Sequence, residues 1–149
     1  MPKEPYAGDI LDTQQPFTAK SDVVGTVVCI MNAHAEQRGF ELIPSPSRAF
    51  VRGSIQELIV TDEPQASPGA VVNRVAYVCF FEIEIGGIVL AGDMVEIGGQ
   101  ELGQVAGFDL THAPNHMNVI VQVAQPRSGA EMGVALGDRV TLRYTVERT

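Results

Sequence analysis

The sequence predicts an all-β protein, a small closed or nearly closed barrel of about eight or nine short strands behind an N-terminal arm. Three observations carry the prediction. Apolar, β-branched runs recur at short intervals, glycine and proline punctuate them, and almost no segment shows a helical period. The chain has 149 residues, 45% of them hydrophobic and 19% charged. That is enough for one domain with a proper core and too apolar for a disordered chain.

Residues 1–21 are polar and carry Pro2, Pro5 and Pro16, so they read as an arm ordered by packing on the barrel or on a second subunit. The barrel domain then occupies residues 22–149. Val23–Asn32 is rich in β-branched residues, as a buried strand would be. Gly39–Ile43 and Arg48–Arg52 flank Pro44-Ser45-Pro46 and suit a hairpin. Gln56–Thr61 is a further strand, and Asp62–Gly69 a loop on composition. In Asn73–Ile85 strict alternation puts Val75, Tyr77, Cys79, Phe81, Ile83 and Ile85 on one face. Ala76, Val78, Phe80, Glu82 and Glu84 fall on the other. Ile88–Leu90, Met94–Ile97, Gly103–Phe108 and Met117–Ala124 follow as short strands between glycine turns. Arg139–Glu147 closes the chain with Val140, Leu142, Tyr144 and Val146 inward. Gly129–Leu136 has room for one helical turn, without a good cap.

Composition excludes several classes of function. Eighteen acids against ten bases give a formal charge of −8, which repels a polyanion, so no nucleic acid is expected as a partner. No apolar run approaches the roughly 20 residues of a membrane helix. The opening MPKEPYAGDILDTQQP lacks the apolar segment of a secretory signal, so a cytoplasmic protein is expected. Cys29 and Cys79 lie in apolar runs without a C-x-x-C pair, and read as buried reduced thiols.

Two constellations carry chemistry. Glu82 and Glu84 share a strand face with Phe80 and Val78. In a barrel mouth, desolvation and mutual repulsion would raise a carboxyl pKa and make an acid–base pair. On a solvated outer face they would be ordinary surface carboxylates. Asp109–Asn118 (DLTHAPNHMN) places Asp109, His112, His116 and Asn118 in an inter-strand connection, where functional groups concentrate. The H-x-x-x-H spacing invites a metal with Asp109 as third ligand, but Pro114 opposes the helix that would align both imidazoles. The expectation is therefore no metal and no cofactor. Glu82, Glu84, His112 and His116 are the candidate catalytic groups, with Tyr77, Phe80, Asp109 and Asn118 as substrate contacts.

The stretch Val78–Val123 resembles the glucitol/sorbitol-specific IIA component of the bacterial sugar phosphotransferase system. The resemblance rests on the turn from Leu90-Ala91-Gly92 to Ile97-Gly98, on Gln104-Val105-Ala106-Gly107 and on His116-Met117-Asn118-Val119-Ile120, with Leu136-Gly137-Asp138-Arg139-Val140 as the closing counterpart. It implies a β-barrel. Where that family carries the His-x-His-Gly element with its phospho-accepting histidine, this chain has Phe80, Phe81, Glu82 and Ile83. Phosphotransfer needs a nucleophilic imidazole, so the likeness implies the fold without the reaction.

Three functions follow as expectations. The first is a cofactor-free enzyme or binder for a small organic molecule, using pocket carboxylates and imidazoles for condensation, cyclisation, isomerisation or dehydration, as in specialised biosynthesis. The second is a IIA-like component or regulator that has lost the accepting histidine. The third is a non-catalytic homo-oligomer joined through the N-terminal arm.

Overall fold

The computed structural model describes residues 20–145. In chain order it contains β1 (Val23–Ala35), β2 (Phe40–Glu41), β3 (Ser47–Phe50), β4 (Ile55–Thr61), β5 (Val71–Val72), β6 (Val75–Ile85), β7 (Gly87–Leu90), β8 (Met94–Ile97), β9 (Gln100–Asp109), β10 (Asn118–Gln122), α1 (Gly129–Met132) and β11 (Arg139–Arg143). Seven strands close a barrel in the order β1-β11-β8-β9-β10-β4-β6, and β6 pairs back onto β1. Every pairing in the ring is antiparallel except β10 with β4. The other four strands form two ribbons, β2 with β5 and β3 with β7.

Alternation along the strands sorts side chains to two sides of the wall. Leu58, Val60, Phe81, Phe108, Val119 and Leu142 meet inside, and none of them is measurably exposed. Ile59 and Ile120 point the other way. There the β2–β5 ribbon covers them with Phe40, Leu42 and Val72 in a second apolar cluster. The wall at β4 and β10 is thus buried on both faces, which is why Leu58-Ile59-Val60 and Val119-Ile120-Val121 are unbroken apolar triplets. Among the described residues, no helix is long and apolar enough to cross a membrane.

Several expectations change. Gly39–Ile43 and Arg48–Arg52 do not pair with each other: β2 joins β5 over the outer wall, whereas β3 joins β7 and sends Phe50 and Val89 into the inner core. The strand expected at Gly103–Phe108 runs from Gln100 to Asp109. The closing strand ends at Arg143; Val146 and most of the proposed arm lie outside the described residues. Lys20, from the arm, places its Nζ 2.8 Å from the buried Asp93 carboxylate, whose Oδ2 also accepts the Leu90 N–H. Helix α1 is well capped after all. Ser128 accepts the Glu131 N–H, and Glu131 accepts the Ser128 N–H in return, a reciprocal box. Cys79 is buried as expected, but Cys29 is exposed.

Alternation in β6 also breaks. The β4 register steps from Leu58 opposite Cys79 to Ile59 opposite Tyr77, skipping Val78. Val78 and Cys79 consequently both face the inner core, and residues on either side of them change parity. Tyr77 and Val75 pack outward, as do Phe80, Glu82 and Glu84 farther along.

Candidate functional site

One row of side chains crosses the outer wall on five strands. Cys29 on β1 is opposite Phe80 on β6, Phe80 is opposite Glu57 on β4, Glu57 is opposite Asn118 on β10, and Asn118 is opposite Asp109 on β9. Directly opposed residues project to the same face, so the row follows from register alone. The β9–β10 connection then folds back over it. Met117 is clamped onto the start of β4: its N–H donates to Gln56 Oε1 at 2.7 Å and its carbonyl accepts the Glu57 N–H at 2.9 Å. That clamp puts His116 above Glu57 and Phe80. His116 Nε2 lies 3.5 Å from Glu57 Oε1, and its ring meets Phe80 edge-on at 5.1 Å between centroids. The exposed His112 ring stands 5.0 Å from that of His116.

Burial sets the electrostatics. The Glu57 side chain is 7% exposed. Desolvation pushes its carboxyl up to about 7, against the lowering influence of the Arg38 guanidinium. His116 moves the opposite way: burial and then the neighbouring His112 depress it, while contact with the Asn118 side chain favours the charged ring. Both groups therefore favour their neutral forms. At 3.5 Å the pair is too long for a strong hydrogen bond, and His116 Nε2 is buried without a partner. Below them Cys79 is driven up to about 12, first by burial and then by Glu57.

Asp109 anchors the other end of the row. Its Oδ1 accepts the Thr111 N–H at 2.9 Å and the Asn118 NH2 at 3.1 Å, and its Oδ2 accepts the Glu41 N–H at 3.1 Å. Burial alone would raise this carboxyl, but these bonds together hold it below the ordinary range.

The structure brings together five of the eight expected residues: His112, His116, Phe80, Asp109 and Asn118. Tyr77 is separate, packed edge-on against Phe40 at 6.4 Å in the outer apolar cluster. Glu82 and Glu84 stand apart from this group. Both are exposed, beside a shallow groove of about 410 Å³ with Arg52, Gly53 and Ile83, and Glu84 accepts the Thr26 hydroxyl. Of the two placements left open for them, the structure shows the outer face, and the barrel interior is filled by core side chains. Nor do Asp109, His112 and His116 converge on a point. Asp109 is engaged by backbone and amide donors, and among the described residues no group of three His, Cys, Asp or Glu is arranged to hold a metal. Glu57 was read only as part of a strand. Its signal was the following Leu58-Ile59-Val60, a strand buried on both faces, where a carboxylate at the entrance is desolvated whichever way it points.

A family model described as a family of unknown function, DUF6917, matches residues 17–143. The chain belongs to this family. The matched span includes all seven barrel strands and every residue of the outer-wall row. No curated protein and no solved structure matches the chain.

Proposed function

We propose that the protein is a cofactor-free acid–base enzyme for a small organic molecule, working on the outer wall of the barrel at Glu57, His112 and His116. One observation carries this reading: a buried carboxyl with a pKa near 7 stands 3.5 Å from an unpartnered imidazole nitrogen. Efficient proton transfer requires groups that change state near the working pH, and such perturbed groups cluster at functional sites. One group takes a proton from the substrate while the other returns one, so isomerisation, dehydration or condensation proceeds without a redox partner. The exposed His112, with Phe80 and Cys29 along the same row, supplies the surface on which a substrate docks.

Proton exchange tests this without knowledge of the natural substrate. A panel of small carbonyl compounds is incubated with the protein in D2O, and deuterium incorporation beside the carbonyl is followed by NMR. Catalysed exchange is expected, strongest near neutral pH, and reduced roughly 10²- to 10⁴-fold by Glu57→Gln, the usual contribution of one acid–base group. Equal exchange by the two proteins would sink the assignment.

A second reading keeps the IIA-like scaffold and makes His116 the phosphoryl acceptor, favoured by its neutral ring and free Nε2. The raised Glu57 carboxyl beside that nitrogen has a role in proton transfer and none in phosphotransfer, which favours the first reading. The two part on their requirements, since phosphotransfer needs a phosphorylated carrier and proton exchange needs none.

A further inference from the structure

We infer that Asp109 is a positioning residue for His116: its carboxylate holds the Asn118 amide with the NH2 turned away and the oxygen turned to the imidazole, so that His116 meets an acceptor and not a donor. The Asn118 NH2 donates to Asp109 Oδ1 at 3.1 Å, deep in the wall, where Asn118 is 1% and Asp109 2% exposed. Flipping the amide would set its carbonyl oxygen against a carboxylate oxygen. That contact of two buried acceptors is repulsive and disfavours the flip. The carboxylate cannot turn aside, because the Thr111 and Glu41 N–H groups hold its two oxygens.

Asn118 Oδ1 is in consequence a buried acceptor with no hydrogen-bond partner. Asn118 stands opposite Glu57, whose carboxylate lies 3.5 Å from the equally unpartnered His116 Nε2, and the Asn118 side chain favours the charged ring. A neutral ring carries one N–H for its two nitrogens, so only the charged ring offers a donor at both. A proton arriving on His116 supplies the missing donor, so the arrangement favours the imidazolium at the moment of proton transfer. The groups facing His116 are Glu57 from β4, His112 from its own loop, the uncharged Phe80 from β6, and Asn118 from β10 with Asp109 from β9 behind it. Arg38 enters only through Glu57.

This role builds on the acid–base reading, but its test needs no substrate, so an inert exchange assay and a failed titration remain separate results. Imidazole nitrogens of the 15N-labelled full chain are titrated by long-range NMR, with His34 as a remote reference. Asn118→Leu should move the His116 midpoint to lower pH, since the acceptor is gone, and Asp109→Ala should move it the same way. Because Asp109 acts through Asn118, the combined variant should shift no further than Asn118→Leu alone. Additive shifts would show that Asp109 acts by its own charge and would overturn the inference. Should a variant fail to fold, the unaltered protein decides. Its Asn118 side-chain amide signals must follow the His116 midpoint, and an amide indifferent to that titration overturns the inference equally.

Discussion

Glu57 and His116 pull stability in opposite directions with pH. The folded Glu57 carboxyl is raised from 4.5 to about 7, so its contribution is fully present below pH 4.5 and is lost as pH rises through about 7. The upper bound of that loss is about 3 kcal/mol, from about 1.4 kcal/mol per unit of pKa. His116 is lowered, so its contribution is present above its unfolded value and lost on acidification. Glu57's loss runs from pH 4.5 to about 7, and the rising His116 contribution offsets part of it below pH 6.5. Urea unfolding of the unaltered protein and Glu57→Gln across the pH range should show the variant gaining about 1–3 kcal/mol relative to the unaltered protein at alkaline pH, and little or nothing at low pH. A parallel pair of pH profiles would contradict a desolvated Glu57.

At the scale of elements, the outer-wall row depends on register, and register depends on a few irregularities. The skipped Val78 in β6 turns Phe80 outward while Tyr77, three positions back, also points outward. Neighbouring α1 packs against the same stretch. A Cβ on Gly129 would come within 2.0 Å of the Val78 carbonyl oxygen and 3.2 Å of that of Met31, which is why a glycine opens the helix. Gly129→Ala should therefore displace α1 and lower stability by about 1–3 kcal/mol, measured by denaturant unfolding, the usual cost of overpacking. Ser128→Ala removes both the cap and the hydroxyl's donation to Asn32 Oδ1 at 2.9 Å, and should cost about 1–2 kcal/mol. A helix lost without a measurable change in stability would contradict this packing. His34 on β1 also contacts Glu131, holding the far side of the helix to the wall.

For the molecule as a whole, a closed ring leaves no lateral barrel edge among its seven strands, and the inner core is sealed by its own packed side chains. The two cysteines report this separately. Cys29 is exposed on the outer wall, whereas Cys79 is fully buried with its thiol driven up to about 12. Alkylation with iodoacetamide at pH 8 should modify Cys29 readily and Cys79 only at the rate of global unfolding, read by peptide mass spectrometry. Rapid modification of Cys79 in the native protein would contradict the closed wall. The same closure explains where a site can form. The interior is filled, so functional groups gather on the outer wall, under the connection that crosses it.

Much of this was legible in the sequence, for physical reasons that differ from residue to residue. His112, His116, Asp109 and Asn118 lie within ten positions of one another, so proximity along the chain foretold proximity in space. Phe80 and Glu57 are separated from them by tens of residues, and only register brings them together. The face of Glu82 and Glu84 stayed open in the sequence because period-two alternation specifies two faces without saying which is inner.

The all-β class and its glycine-punctuated turns came from the sequence alone, because alternation and turn chemistry act over a few neighbouring residues. So did the loop that carries the two histidines. Which face of each strand is buried was decided by the tertiary structure, through one skipped residue in β6 and the β2–β5 ribbon that covers the outer wall. The elevated Glu57 carboxyl was decided there too, since a pKa depends on what surrounds a group in three dimensions and no local pattern encodes that.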